Sequence, residues 1–363
     1  MALALALNHH GVAAQVIDAR QRGAAQTDKR ILALSHGSRQ ILEWLGAWHS
    51  IAATRIAVIH VSQQGGFGRT RLTAQEQGVA ALGYVAAASS VSAALDVELA
   101  RAGIGFRENA RILSAEVSDD EITLSTDAGV ITSRLAIYAE GGVDADSAVV
   151  RDYDQSAVIC NVTTDQSPGS PCNTAYERFT PQGPLALLPF GSELAVVYTC
   201  RARDAMDRAA LSDEDFLVGL QAHFGKRLRF TGVTPRFVFP LALRYRRTPV
   251  GKRCVWLGNA AQTLHPVAGQ GFNLALRDVW ELSRTLAGAS DPGAQDVLAG
   301  YAAARRLDRR SVIGFTDALV RIFSNDDPLL RLLRGFGLLA LDQIPPLRGF
   351  VAKRLMYGDR AWP

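Results

Sequence analysis

Cys254 to Leu257 form a short apolar run ending at Gly258, the pattern of a buried strand. A polar loop with Asn259, Gln262, His265 and Pro266 follows. Gly269-Gln270-Gly271 then opens a long segment of helical apolar periodicity that reaches about Ala287. Strand, loop, glycine pair and helix N-terminus together aim backbone N–H groups at an electron-rich ligand. The glycines let the backbone approach it closely, because no Cβ intervenes.

The same reading extends along the chain. Residues 1–20 predict the end of a helix, a turn at Asn8 to Gly11 and a strand from Ala13 to Ile17 that ends in Asp18. An amphipathic helix is expected from about Ser35 to Trp48, with Ser35 or Ser38 as its cap. Residues 55–75 alternate around a Gly65-Gly66 turn and predict a hairpin. Residues 89–102 predict a helix, and 104–137 three strands, the last of which (Leu135 to Tyr138) runs into Glu140-Gly141-Gly142. Strands are expected at 157–162, 174–179, 184–189, 194–199 and 236–241, with a loop at 166–172 and one helix at about Ser212 to Phe224. Residues 296–324 predict a helix carrying the basic run 305–310, and 328–357 an apolar, basic stretch. The latter reads as helices packed on the domain or as a lipid-facing surface.

Composition narrows the class. The chain has 363 residues, 48% hydrophobic and 20% charged, enough for two domains or one large discontinuous one. A net charge of +4 suits an anionic cofactor or an acidic lipid surface, and equally a solvated surface with spare arginines. Nothing in it calls for a nucleic-acid partner. Cys160, Cys172, Cys200 and Cys254 show no CxxC spacing and no histidine cluster, so neither a metal site nor a disulfide framework is expected. A reducing compartment fits. The N-terminus lacks a basic n-region, and no run reaches the roughly 18 apolar residues of a membrane span. The expectation is a cytoplasmic protein, at most peripheral at the inner face of a membrane.

Two positions carry candidate chemistry outside the central loop. Asp18, at a strand end, is placed to accept hydrogen bonds from a ribose hydroxyl, or simply ends the strand. Its usual companion, a preceding strand with G-x-G-x-x-G, does not occur in this sequence, so an N-terminally truncated nucleotide-binding unit is expected. Arg30 follows in a loop where a guanidinium reaches a phosphate, although taken alone a surface arginine is the simpler reading.

The run from Gly258 to Asn273, followed by Arg277-Asp278, closely resembles the second FAD signature of flavin-dependent aromatic monooxygenases. It is most similar to the ubiquinone-biosynthesis hydroxylases, in their 2-polyprenyl-6-methoxyphenol hydroxylase branch. The stretches 28–35, 178–189 and 308–317 resemble the same branch. The resemblance implies an α/β fold: a Rossmann-like FAD-binding domain (1–54, 89–154 and 251–300), an antiparallel-sheet substrate domain (55–88 and 155–250) and C-terminal helices (301–363). Asp18 would bind the adenosine ribose and Arg30 would lie near the FAD phosphates or ribityl chain. Asn259 stands where the family commonly has Asp and would accept from a ribityl hydroxyl. Pro266, Gly269, Gln270, Gly271, Phe272 and Asn273 would line the isoalloxazine ring, and His265 is a catalytic candidate by position only. The implied activity is hydroxylation of a polyprenylated phenol in ubiquinone biosynthesis, using NAD(P)H, O2 and a C4a-hydroperoxyflavin. Association with a membrane or with other enzymes of that pathway would accompany it. A small soluble phenol as substrate, or a non-catalytic remnant binding a lipid or partner, are the alternatives.

Overall fold

The computed structural model describes residues 1–143, 147–165, 173–325 and 327–358. The expected loop at 166–172, with Cys172, lies outside them. The helices are α1 (Ala2–His9), α2 (His36–Trp44), α3 (Ala88–Arg101), α4 (Ala205–Ala210), α5 (Asp213–Phe224), α6 (Gln270–Leu286), α7 (Gln295–Phe323), α8 (Pro328–Gln343) and α9 (Pro345–Tyr357).

Local chemistry sets their ends. The Ser35 hydroxyl accepts from the Ser38 N–H and caps α2, and Ser212 does the same for α5 through Asp215 N–H. Helix α2 stops at Trp44, earlier than its periodicity suggests, because Gly46 turns left-handed at φ 81° and Trp48 enters a separate turn. The apolar stretch after 328 divides at Pro345, whose ring cannot continue a helix. Helix α4 escaped the sequence reading because it is six residues long and buries only Ala205.

Two short parallel pairings mark the α/β part. Val16–Ile17 pairs with Phe106–Arg107, and Ala136–Tyr138 pairs with Cys254–Trp256. Leu3, Leu7, Ile41, Leu95, Leu276 and Leu282 are among the residues of their shared helical core. A three-stranded antiparallel sheet, in the order Ile31–Ser35, Gly83–Ala87, Ala53–Ile56, stands beside them.

A nine-stranded sheet makes up the rest, built on the long strand Ala148–Thr164. It is antiparallel except where Thr174–Thr180 runs parallel to Val58–Gln63, which brings the 58–73 hairpin into it. Strand alternation gives this sheet two different faces. Leu185, Leu187, Tyr176 and Val196 pack under α5 against Phe216 and Leu220. On the other face Phe179 meets Val267, Val320 and Phe323, while Ala175 and Leu188 meet Ile56 and Val85. Among the described residues no helix is long and apolar enough to cross a membrane.

Candidate cofactor site

The site is the loop between the strand Cys254–Trp256 and α6. Its last residues are strained: Ala268 and Gly269 are both left-handed, at φ 59° and 60°. For Ala268 this costs on the order of 1–3 kcal/mol, a strain typical of functional loops. Gly269 is required twice over. Its φ disfavours side chains, and a Cβ there would stand 2.9 Å from the Ala33 Cβ. The loop thus lies against the strand Ile31–Ser35. No side chain caps α6. Its first-turn N–H groups and the positive end of its dipole therefore remain for a ligand. Gly271 sits in that first turn, and a Cβ built on it meets no atom within 4 Å.

The Asn273 side chain is held within the protein. Its Oδ1 accepts from Ser35 N–H (2.8 Å) and the Ser38 hydroxyl (2.7 Å), and its Nδ2 donates to Ala33 O (3.0 Å) and Gly269 O (2.8 Å). With its side-chain amide fully engaged inside the protein, Asn273 positions α6 against α2 and the 31–35 strand. Gln270 is buried; its Nε2 donates to Ala268 O at 3.1 Å, and its Oε1 has no partner. Asn259 and Pro266 are exposed on the loop, and Phe272 is half-buried against the helical core.

His265 is buried, with its ring edge-on to Tyr153 at 5.8 Å. Its Nδ1 accepts from Val267 N–H at 3.1 Å, which places the ring proton on Nε2. That Nε2 has no partner, and burial pushes the ring pKa down to about 4. A neutral imidazole whose free nitrogen already carries a proton donates a hydrogen bond; it does not accept a proton.

Asp18 and Arg30 are engaged locally. Asp18 ends its strand and pairs with Arg20 at 3.0 Å; those hydrogen bonds outweigh the effect of burial and hold its carboxyl below the ordinary range. Arg30 pairs with Asp28 at 2.6 Å, three residues from Ala33. Glu140-Gly141-Gly142 lies exposed after the Ala136–Tyr138 strand, and Gly141 is left-handed with open space beside it.

Two features escaped the sequence reading. Asp278 and Asp308 bracket Arg305, each at 2.6 Å, with Arg277 on Asp308 at 2.8 Å. Gln262 donates to Asp278 at 2.9 Å and accepts from Arg309 at 2.9 Å. This buried network ties α6, α7 and the loop together, so half of the basic run 305–310 is interior. The second feature is Glu177, on the sheet face of Phe179. Its Oε1 is sealed from solvent without a partner, and burial raises the carboxyl to about 7. The signal was an acidic residue at an inward position of the alternation Ala175, Glu177, Phe179.

The raised pKa has a sign. As pH climbs above the ordinary 4.5, the unfolded chain loses this proton first, so stability falls until about 7, where the folded carboxyl also ionises. The loss is at most roughly 3 kcal/mol. Glu177→Gln should match the native protein in urea midpoint near pH 4 and exceed it near pH 8; equal midpoints at both would show that Glu177 is not held neutral.

The arrangement fits a flavin. An electron-rich ring edge suits the uncapped α6 N-terminus, Gly271 leaves room for it, and two buried polar atoms, Gln270 Oε1 and His265 Nε2, lack protein partners. The family model of an FAD binding domain matches residues 1–316. The ubiquinone hydroxylase UbiL of Rhodospirillum rubrum is 31% identical over 98% of this chain and 86% of its own length. The 3-demethoxyubiquinol 3-hydroxylase of Escherichia coli is 30% identical over 96% of this chain and 93% of its own. Among solved structures, p-nitrophenol 4-monooxygenase PnpA of Pseudomonas putida shares the fold, with TM-score 0.76, 17% identity and coverage of 99% of this chain and 96% of that one. Klebsiella pneumoniae HpxO, complexed with FAD and uric acid, does so with TM-score 0.77, 15% identity and coverage of 99% and 94%.

Proposed function

This chain belongs to the FAD-binding-domain family and is an FAD-dependent aromatic monooxygenase related to the ubiquinone-biosynthesis hydroxylases; from that premise we propose that it hydroxylates the ring of a polyprenylated phenol. The observation that carries the reading is the uncapped, glycine-opened N-terminus of α6 beside the 31–35 strand.

In this reading bound FAD, reduced by NAD(P)H, supplies the oxygen-transfer chemistry. Pro266 to Phe272 hold and orient the ring system. The α6 N–H groups stabilise negative charge at its edge, and His265 offers a hydrogen bond. Phe179, Val267 and Phe323 keep water away, with Phe179 and Phe323 stacked at 3.8 Å. Glu177, with a carboxyl near 7, is suited to take the phenol proton, because a base works best when its pKa lies near the operating pH. Asp18 and Arg30 serve the adenosine and phosphate end.

The division into FAD-binding (1–54, 89–154, 251–300), substrate (55–88, 155–250) and C-terminal helical (301–363) regions belongs to this proposal. Helices α8 and α9 expose Leu329, Leu333, Phe336, Leu347 and Phe350, with exposed Arg331 and Lys353 beside them. An apolar face rimmed by cations suits the cytoplasmic surface of a membrane from which a prenylated substrate is drawn. Turnover of paired phenols with and without the prenyl tail tests the substrate class. The tailed compound should be preferred by about tenfold or more in kcat/KM; equal or reversed preference would point to a small soluble phenol instead.

A further inference from the structure

The sheet face away from the cofactor loop carries a cavity of about 570 Å³ between the hairpin turn at 63–69, the strand Thr174–Thr180, the end of α5 and α8. Tyr176 and Arg178 line it, and strand alternation turns them opposite to Phe179, which packs on Val267. It is therefore distinct from the candidate flavin site.

Its lining is unusually cationic. Arg69, Arg178 and Arg227 face it, with Asp342 as the acidic residue in the lining. Arg69 and Arg227 are exposed and, among the described residues, have no carboxylate partner. Arg178 is fixed by its bonds to His223 O (2.8 Å) and the Ser62 hydroxyl (3.3 Å). His60, 9% exposed, also lines the cavity, and its Nε2 has no hydrogen-bond partner. Burial, then the charges of Arg227, Arg69 and Arg178, depress this imidazole to about 4, so all three guanidiniums act on one point.

The cavity wall is also held in place. Gly68 is left-handed at φ 88°, and a Cβ there would overlap the Gly335 carbonyl of α8. Gly335 in turn admits only hydrogen against the Phe67 ring, which also meets Phe336 edge-on at 5.1 Å. The glycine pair thus seats α8 on the hairpin turn. Leu339 of the same helix reaches the cavity rim and is itself exposed.

We propose that this cavity is a second ligand site that takes a phosphate-bearing anion. Three guanidiniums against one carboxylate leave two positive charges uncompensated, which matches a phosphate monoester dianion better than a carboxylate. Guanidinium forks suit phosphate oxygens. The anion comes either from a lipid headgroup, whose tails would extend along the apolar face of α8, or from a small phosphate compound. The assignment is independent of the hydroxylase reading.

The test uses the full-length, FAD-loaded protein. Inorganic phosphate is titrated calorimetrically, and phosphatidylcholine vesicles with and without phosphatidic acid are tested by co-sedimentation. The variant Arg69→Gln/Arg227→Gln is compared with Arg306→Gln/Arg310→Gln, which removes the same charge from exposed positions on α7. Phosphate or the phosphatidic acid vesicles should bind, at least about tenfold more weakly to the Arg69/Arg227 variant and undiminished to the α7 variant. Vesicle binding displaced by phosphate assigns a lipid headgroup. Binding of phosphate without the vesicles assigns a small ligand. No binding in either arm, or equal loss in both variants, would overturn the site.

Discussion

Replacing Gly271 with leucine should leave the apoprotein folded and weaken FAD binding about a hundredfold or more. A Cβ at Gly271 meets no protein atom within 4 Å, so the protein itself has no objection to a side chain there. Leucine is also a better helix former than glycine by about 1 kcal/mol, which favours the apoprotein slightly. If the flavin ring occupies that space, the new side chain takes its place and blocks the N–H groups of the first turn of α6. Gly269→Leu provides the contrast. It forces a left-handed residue and a 2.9 Å approach to Ala33, so it should lower apoprotein stability as well as flavin binding. Fluorescence titration with FAD, alongside thermal unfolding of the apoproteins, separates the two. A Gly271→Leu protein that binds FAD normally would remove the flavin from the α6 N-terminus.

The second large effect concerns stability. Asp278→Leu should cost about 3–5 kcal/mol, because it leaves the Arg305 guanidinium buried with half its partners gone. Arg305 is 3% exposed and lies 2.6 Å from Asp278, whose other oxygen receives Gln262. The double variant Asp278→Leu/Arg305→Met should recover much of the loss, since an apolar pair carries no uncompensated charge. Urea unfolding of the three proteins reads this directly. If the single variant is as stable as the native chain, the network does not hold α6 to α7. The consequence reaches the site, because the same Gln262 lies in the loop between the 254–256 strand and α6.

How much of this was legible beforehand follows from range. Elements whose signals are local were readable: the Gly65-Gly66 hairpin, the caps at Ser35 and Ser212, the long periodicity of α6 and α7. The glycine-rich loop was readable because close backbone approach leaves its mark in residue type at adjacent positions. What the sequence concealed depends on partners distant along the chain. The interior role of the Asn273 side chain shows only when Ser35 and Ser38, more than 230 positions away, are seen to use its oxygen. His265 stands out by position alone, and only its burial and the Val267 N–H fix its proton on Nε2. The cationic cavity draws on residues 60–69, 176–178, 227 and 339–343, and no window of sequence contains that cluster. The end of helix α2 failed for a smaller reason: apolar periodicity continues through Leu45 and Trp48, while the left-handed Gly46 stops the helix between them.

On the function proposed above, this chain adds an oxygen atom from O2 to a prenylated phenol ring. FAD-loaded protein supplied with NAD(P)H, a polyprenylated phenol and isotopically heavy O2 tests it most directly, with the product read by mass spectrometry. One heavy oxygen is expected on the aromatic ring, formed in step with NAD(P)H consumption. Heavy oxygen recovered only as hydrogen peroxide, with the phenol unchanged while NAD(P)H is consumed, would contradict it.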